Sequence, residues 1–353
     1  MNSITLDDIA RDLGLSKATV SYVLSGRGRQ RRIAEATIQR VTQHATSVGY
    51  TPNAVARSLS QRRTNLVGVV ASGFQMDWLQ GIYEGLEPVF DQAGVIPVFA
   101  VRGWCPERER AQLRRLAEQR VDVVMVLNPL EQNRELYRSM LSRSTPVVFV
   151  SDELEDMPEA SSVAWDARPA VRRLVEHLTR SGRRRLAFAA TRHAAVGTRQ
   201  RFEAFESAVA LCGARTRPDW IHWQHVLTTP PPGHLVEVEW IASIPWGTPE
   251  APDAIVCLND NVAFRVLRAL LARGVQVPRQ VAVTGLGNLP PAVGDLPGLT
   301  TAIEPLHEIG RRAAHMVLAF IQDPRRAPRR ERVDTADLLV RRTTDEAAPP
   351  AWA

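Results

Sequence analysis

The 353-residue sequence predicts an α/β protein with a small all-helical segment at its start and a two-lobed body of doubly wound parallel sheets. Three observations predict this division. Helix caps and helical apolar spacing fill the first fifty residues, whereas apolar runs alternate with amphipathic stretches from Leu66 onward. Residues 1–63 contain ten Lys or Arg and four acidic residues, a net charge of +6, while the remaining residues carry 34 of each sign.

The stretch Ile4 to Leu24 predicts two short helices joined by a tight turn. Thr5 is placed to cap the first helix, with Asp8 reaching back to the backbone N–H of Thr5. Gly14 ends this helix because glycine accepts the left-handed conformation. Ser16 caps the second helix, which presents a mostly polar face formed by Lys17, Ala18, Ser21 and Tyr22.

A short helix with a polar face on a capped partner is how a helix-turn-helix enters the major groove of DNA. The alternative is a helical hairpin whose polar face is only solvated. The Arg-rich loop 25–32 abuts this face and is suited to phosphate contacts. The excess positive charge of the same segment favours the DNA-binding interpretation.

A third helix is predicted near 34–47, and Gly49 ends it. Pro52 can then open a helix of about two turns over 53–60. So short a helix is marginal in water, because few residues repay the cost of nucleation. We expect it to fold only when something binds it.

The body is predicted to alternate strands and helices, which indicates parallel sheets with right-handed crossovers in two lobes. Its predicted strands are 66–71, 95–101, 122–127, 146–150, 185–190, 254–258 and 281–286. Its predicted helices are 77–93, 107–119, 131–142, 168–179, 200–212, 261–273 and 306–321. The Trp- and Pro-rich segment 215–250 receives no assignment.

Sequence signatures of enzymes and metal sites are weak. The three cysteines have no metal or disulfide spacing, which predicts a reducing compartment. No signal-peptide core and no membrane-spanning run is visible, so we expect a cytoplasmic protein that does not enter a membrane. His222 and His225 could hold a metal if helical, but a surface or packing role is favoured. No catalytic residue, metal or cofactor is predicted.

The motifs TLDDIA, GLSKATVSYVLSG, GYTPN and AVARSL resemble the LacI/GalR family of bacterial transcription regulators, and the resemblance covers nearly the whole chain. It implies a helix-turn-helix head at 1–49 and a hinge helix with linker at 50–64. A periplasmic-binding-protein-like effector domain follows at 65–342, with crossovers between its lobes expected near 161–164, 288–299 and 322–330. The tail 343–353 is predicted to be disordered.

In that family the hinge helices of two subunits pair in the minor groove, and a leucine at the position of Leu59 wedges between base pairs. Two residues depart from the pattern. Tyr22 stands where arginine is commoner, and Ala34 replaces a usual N-cap serine. The residues expected to contact DNA are Thr5, Ser16, Lys17, Ala18, Thr19, Ser21, Tyr22, Arg29, Arg31, Asn53, Ala56, Arg57 and Leu59.

The resemblance also implies effector contacts between the lobes, at Ser72, Asn128, Ser151, Arg201, Asn259 and Gly287. Each polar residue could singly be a cap or a turn residue. Ser151 and Gly287 occupy positions where sugar-binding members commonly carry aspartate, although Asp152 is a neighbouring substitute. Because Arg201 is kept, the pocket is expected to be more positive, which favours a sugar acid such as gluconate over a neutral sugar. Loss of ligand binding is the third alternative.

These inferences together predict a ligand-responsive repressor that binds palindromic double-stranded operator DNA as a homodimer. The alternative is a solute-binding protein or a sugar-processing enzyme that shares the α/β lobes. The basic head and the missing export signal argue against the first of these, and the absent catalytic motifs against the second.

Overall fold

The computed structural model describes residues 4–50, 63–73, 77–192, 196–225, 238–289 and 298–348. It divides into two compact units, Met1–Thr64 and Asn65–Ala353. We call the first unit the head and the second the body, and we describe each by itself.

Within its described residues the head contains three helices, α1 (Leu6–Leu13), α2 (Lys17–Leu24) and α3 (Glu35–Ser47). The predicted capping box is present, since Thr5 and Asp8 exchange side chain-to-backbone hydrogen bonds. Gly14 has a φ of +65°, in the left-handed region that glycine tolerates. As expected from Ala34, α3 has no side-chain cap. The three helices enclose a small apolar core of Ile9, Ala10, Val20, Val23, Val41 and Ala45.

The body contains twelve strands and seven α-helices within its described residues. The strands are β1 (Leu66–Ala71), β2 (Ile96–Val101), β3 (Val123–Leu127), β4 (Val147–Ser151), β5 (Ser161–Trp165), β6 (Leu186–Arg192), β7 (Ile221–His225), β8 (Ala254–Cys257), β9 (Ala282–Gly287), β10 (Thr300–Ile303), β11 (Arg330–Val333) and β12 (Leu338–Leu339). The helices are α4 (Asp77–Ala93), α5 (Pro106–Glu118), α6 (Arg134–Ser142), α7 (Arg168–Arg180), α8 (Val196–Leu211), α9 (Asp260–Leu271) and α10 (Leu306–Gln322).

The strands form two six-stranded sheets, one in each lobe. Their orders are β11-β5-β4-β3-β1-β2 and β12-β10-β9-β8-β6-β7. Every pairing is parallel except that of β10 with β12. The predicted α/β class, the seven predicted strands and the seven predicted helices are therefore confirmed. The sequence missed β5, β7, β10, β11 and β12, and β7 lies in the segment that it left unassigned.

The three crossovers between the lobes lie elsewhere than predicted. Residues 161–164 belong to β5 of the first sheet, so the chain first crosses at 166–167. It crosses again at 304–305, between β10 and α10, and a third time at 334–337, between β11 and β12. The predicted positions near 288–299 and 322–330 are wrong because both precede a short strand that the sequence pattern did not indicate.

The predicted disorder of the tail is wrong for residues 343–348, while 349–353 lie outside the described residues. Thr343 is fully buried, and its Oγ1 accepts a hydrogen bond from the backbone N–H of Thr300 at 2.8 Å. Its carbonyl accepts a second hydrogen bond from the N–H of Val283 at 3.0 Å. The segment thus supplies partners to strands of the second lobe, which fixes its position.

Helices α4 and α10 cross in close contact on the first lobe, and glycine makes that contact possible. A Cβ at Gly85 would lie 2.0 Å from the carbonyl oxygen of His307. A Cβ at Gly310 would lie 2.0 Å from the carbonyl oxygen of Ile82. These neighbours are backbone atoms, so a larger residue would force the helices apart.

We expect Gly310→Ala to lower the free energy of unfolding by about 2 kcal/mol. The added Cβ overpacks the contact between the helices, and this destabilises the protein more than the higher helix propensity of alanine stabilises it. Urea unfolding followed by Trp fluorescence measures the change. His315→Ala, at an exposed position of the same helix, should change it by less than about 0.5 kcal/mol. Equal stability of Gly310→Ala and the wild type would show that the helices yield without cost.

Candidate functional site

One face of helix α2 is exposed on the head. Lys17 and Ala18 are exposed, and Ser21 and Tyr22 are half-buried at its edge. Ser16 caps the helix, with its Oγ accepting a hydrogen bond from the N–H of Thr19 at 3.1 Å. The predicted residues Thr5, Ser16 and Thr19 therefore have cap roles within the head. The predicted hinge residues Asn53, Ala56, Arg57 and Leu59 lie outside the described residues.

Two of the cations expected to contact DNA are paired with acids in the head. The Nζ atom of Lys17 lies 2.6 Å from Oδ2 of Asp7. The guanidinium of Arg29 lies 2.9 Å from Oε1 of Glu35, and this hydrogen-bonded pair lowers the pKa of Glu35. Both pairs are exposed, so each contributes little to stability and can be exchanged for a phosphate or a base edge at small cost.

A second polar site lies in the body, at the carboxyl ends of the first-lobe strands. Ser72 follows β1, Asn128 follows β3, and Ser151 ends β4, with Asp152 next in the chain. The amide of Asn128 donates a hydrogen bond to Oδ2 of Asp152 at 3.0 Å. Ser151 has a φ of +69°, and its buried hydroxyl has no hydrogen-bond partner among the described residues. An unpartnered buried hydroxyl at such an edge is available to a ligand.

Beneath these residues lies a buried ion pair that the sequence analysis missed. Arg102 follows β2, and its Nε lies 2.7 Å from Oε2 of Glu109, both side chains being fully buried. The Arg102 guanidinium also donates to the carbonyls of Leu127 and Asn128, at 2.8 and 2.7 Å. Tyr137 donates a hydrogen bond to Glu109. Burial, with Glu109 beside it, raises the pKa of Tyr137 and keeps the phenol protonated.

The second lobe contributes Arg201 from α8. Its Nη2 lies 3.5 Å from Oε2 of Glu304, and its guanidinium carbon lies 5.6 Å from the Trp165 ring centroid. Burial raises the pKa of Glu304 to about 7, while Arg201 opposes that rise and Asp152 adds to it. The Nε of Arg201 is buried without a partner among the described residues. Arg201, Glu304, Trp165 and Asp152 therefore come together where the lobes meet.

The last two predicted effector residues have structural roles nearby. Asn259 caps α9, with its Oδ1 accepting from the N–H of Val262 at 3.0 Å. Gly287 ends β9 with a φ of +134°, and it lies beside Asp260. Asp260 accepts hydrogen bonds from the N–H of Leu289 at 2.7 Å and from Thr301, and burial raises its pKa to about 6. Asp260 is thus a buried carboxyl beside Gly287 whose oxygens already accept hydrogen bonds from within the body.

Ion pairs also bridge the lobes at the rim of this site. Arg199 of α8 lies 3.1 Å from Oε1 of Glu131, which follows β3 in the first lobe. Glu131 in turn pairs with Arg134 at 3.2 Å, and Arg134 with Asp156 at 2.7 Å. The structure therefore joins the lobes by charge as well as by the three crossovers.

No group of three or more metal-ligating side chains comes together in the described part of the chain. His222 lies on the strand β7 and stacks on Trp240 with ring centroids 3.7 Å apart. Burial lowers the pKa of His222 to about 4, so the ring is neutral at pH 7. Of the helices described, none has the length and apolarity that a membrane crossing requires.

Two parts of the chain match models of known protein families. Residues 5–53 match the family model for bacterial regulatory proteins of the lacI family. Residues 175–344 match the model of a periplasmic binding protein-like domain. The head thus contains a regulatory domain of the lacI family, and the body contains a periplasmic binding protein-like domain. This pair of domains is that of a DNA-binding transcription regulator rather than of an enzyme.

Relatives of this chain match it over most of its length. The HTH-type transcriptional repressor PurR of Vibrio cholerae serotype O1 (strain M66-2) is 24% identical over 322 residues, covering 90% of this chain and 92% of PurR. The lac repressor dimer bound to operator and the anti-inducer ONPF has a TM-score of 0.80 at 22% identity, covering 97% and 99%. A transcriptional regulator CelR–cellobiose complex has a TM-score of 0.67 at 24% identity, covering 96% and 99%.

We expect Arg102→Met to lower the free energy of unfolding of the protein by about 3–5 kcal/mol, because Glu109 is left buried without its cation. Urea unfolding measures the loss. Adding Glu109→Gln to the same chain should recover part of it. The control is Arg110→Ala, which removes an exposed 3.0 Å pair with Glu107 and should cost about 0–1 kcal/mol. Similar losses for Arg102→Met and Arg110→Ala would contradict the buried-charge argument.

Proposed function

We propose that this chain is a cytoplasmic repressor that binds a palindromic operator as a homodimer and is controlled by a small molecule held between the lobes of its body. The observation that carries this proposal is the exposed face of α2 on a capped partner helix, within a head that holds the excess positive charge. The lac repressor dimer–operator complex, with its similar fold, supports the dimer and the operator.

Operator preference is assigned to Lys17, Ala18 and Tyr22, near the start of α2. To reach a base, Lys17 exchanges Asp7 for an acceptor in the major groove. Because the Lys17–Asp7 pair is exposed, this exchange costs about 0–1 kcal/mol, less than a good base contact contributes. Arg29 is assigned to the phosphate backbone.

Control by an effector requires a difference in its affinity for the two states of the protein. The proposed two-state element is the hinge helix over 53–60, formed on the operator and lost when the lobes rearrange. Leu59 is its wedge in the minor groove, as the family resemblance implies.

The effector that binds at pH 7 and above is proposed to be an uncharged, hydroxyl-rich molecule. The expected excess of positive charge is offset, since Arg201 is paired with Glu304 and Asp152 lies close by. Carboxylates accept hydrogen bonds from sugar hydroxyls, and the Nε of Arg201 and the hydroxyl of Ser151 are buried groups that await a partner. The CelR–cellobiose complex supports a sugar.

A sugar acid such as gluconate is the second candidate, and Glu304 is the observation that favours it. Below about pH 7 this carboxyl becomes neutral, so the charge of Arg201 is left for an anion. Glu304 faces Arg201 of α8, Asp152 after β4 and Asp260 at the start of α9. Purine bases are a third class of effector to test, because curated relatives of this chain are named PurR.

We expect the full-length protein to enrich a palindromic sequence from random double-stranded DNA. Lys17→Ala should weaken binding to it by about 1–3 kcal/mol and relax preference at one position per half-site. Fluorescence anisotropy on single-base operator variants measures both effects. If Lys17→Ala weakened binding to the selected DNA and to random DNA equally, Lys17 would contact only phosphate. If the wild type enriched no sequence, the proposed function would be refuted.

We expect thermal-shift measurements to separate the effector classes by pH. A ligand at roughly 100 times its Kd stabilises the folded body by about 2.7 kcal/mol, which raises Tm by several degrees. A neutral sugar should do so at pH 6 and pH 8, whereas gluconate should act at pH 6 and weaken at pH 8. Glu304→Gln should remove this pH dependence, and Arg201→Ala should abolish the gluconate response. Stronger gluconate binding at pH 8 than at pH 6 would contradict the assigned role of Glu304.

A further inference from the structure

One arginine of the loop after α2 contacts an aromatic side chain of that helix. The guanidinium carbon of Arg31 lies 4.7 Å from the ring centroid of Tyr22, on the face of α2 that carries Lys17 and Ala18. Tyr22 is half-buried and Arg31 is exposed. The loop after α2 therefore returns a charged side chain to the surface that reads DNA.

Among the residues that the structure describes, no acid pairs with Arg31. Lys17 is paired with Asp7 and Arg29 with Glu35, whereas Arg31, like Arg27 and Arg32, forms no ion pair there. Arg31 is distinguished by the Tyr22 ring against its guanidinium, and its N–H donors are not occupied by an acid. No exchange of partners is needed before it contacts a nucleic acid.

The backbone of the loop is also fixed. The N–H of Arg27 donates to the carbonyl of Tyr22 at 2.9 Å, and the N–H of Arg31 donates to the carbonyl of Arg27 at 3.0 Å. Gly28 lies between Arg27 and Arg31 in the sequence and is buried. Its lack of a side chain leaves room for Ile38, since a Cβ at Gly28 would lie 3.0 Å from Ile38 Cδ1. These contacts tie Arg31 to the end of α2 and lower the entropy lost when it binds.

We propose that Arg31 is a specificity-determining residue that reads a guanine in the major groove, with the Tyr22 ring as its support. The inference rests on the proposed operator binding and goes beyond the phosphate contact expected from the sequence. Arginine is the residue best suited to this role, because its fork donates to O6 and N7 of guanine together. Tyr22 then acts by positioning Arg31 as well as by any contact of its own.

The test uses the full-length protein and the sequence that the wild type enriches from random double-stranded DNA. Anisotropy is measured on that sequence, on every single-base variant of one half-site, and at several salt concentrations. We expect Arg31→Ala and Arg31→Lys to reduce the preference for guanine at one position from roughly 5- to 150-fold towards none. Tyr22→Leu should reduce it more than Tyr22→Phe, which keeps the aromatic face.

Arg29→Ala is the matched control, because it removes one guanidinium from the same loop. It should weaken all sequences alike and lower the slope of log affinity against log salt by about one. The same uniform behaviour in Arg31→Ala would overturn the inference, since Arg31 would then contact phosphate only. Circular dichroism checks that each variant keeps the helical head. Failure of the wild type to enrich any sequence would refute the operator proposal, and this inference with it.

Discussion

Two parallel sheets buried on both faces decide where this chain can place polar chemistry. The strand interiors are apolar, as in Val123–Leu127 and Ala254–Cys257, because helices pack on both sides of each sheet. Polar groups are therefore confined to the strand ends, and those of the first lobe meet α8 and the start of α9 at one cleft. Two arginines there are each paired with a buried acid, Arg102 with Glu109 and Arg201 with Glu304, whereas Asp260 is held by uncharged donors. The electrostatics of the cleft thus follows from the topology of the sheets.

The head and the body each contain a cation that is held in an ion pair, but the two ion pairs differ in how easily a ligand can displace the acid. In each, a cation that could bind a ligand already has an internal acid as partner, Asp7 in the head and Glu304 in the body. The Lys17–Asp7 pair is exposed and weak, so a charged polymer can displace Asp7 readily. The Arg201–Glu304 pair is largely buried, so only a ligand that satisfies both groups can enter without loss.

The sequence predicted the fold class because long apolar strands and amphipathic helices have clear periods. It could not predict Ser161–Trp165 or Arg330–Val333, because polar residues interrupt the apolar pattern of both segments. The first is a strand through its pairing with β4, and the second is the edge strand that pairs with the first. Missing such strands also displaced the crossovers. Arg102 was missed although it follows a strand as Asn128 does, because arginine at a strand end is usually solvated. Glu304 could not be found, since the strand before it was not predicted.

The segment 343–348, in which Thr343, Thr344 and Ala348 are buried, determines where the body can be shortened. Thr343 and Thr344 complete the hydrogen bonding of Thr300, and Glu346 pairs with Arg279 at 2.6 Å. A shortened protein that stops at Arg342 would leave backbone N–H groups of two strands without acceptors and expose an apolar seam to aggregation. The smallest fragment suitable for crystallisation or calorimetry therefore extends through Ala348, and an affinity tag at this end belongs beyond that residue.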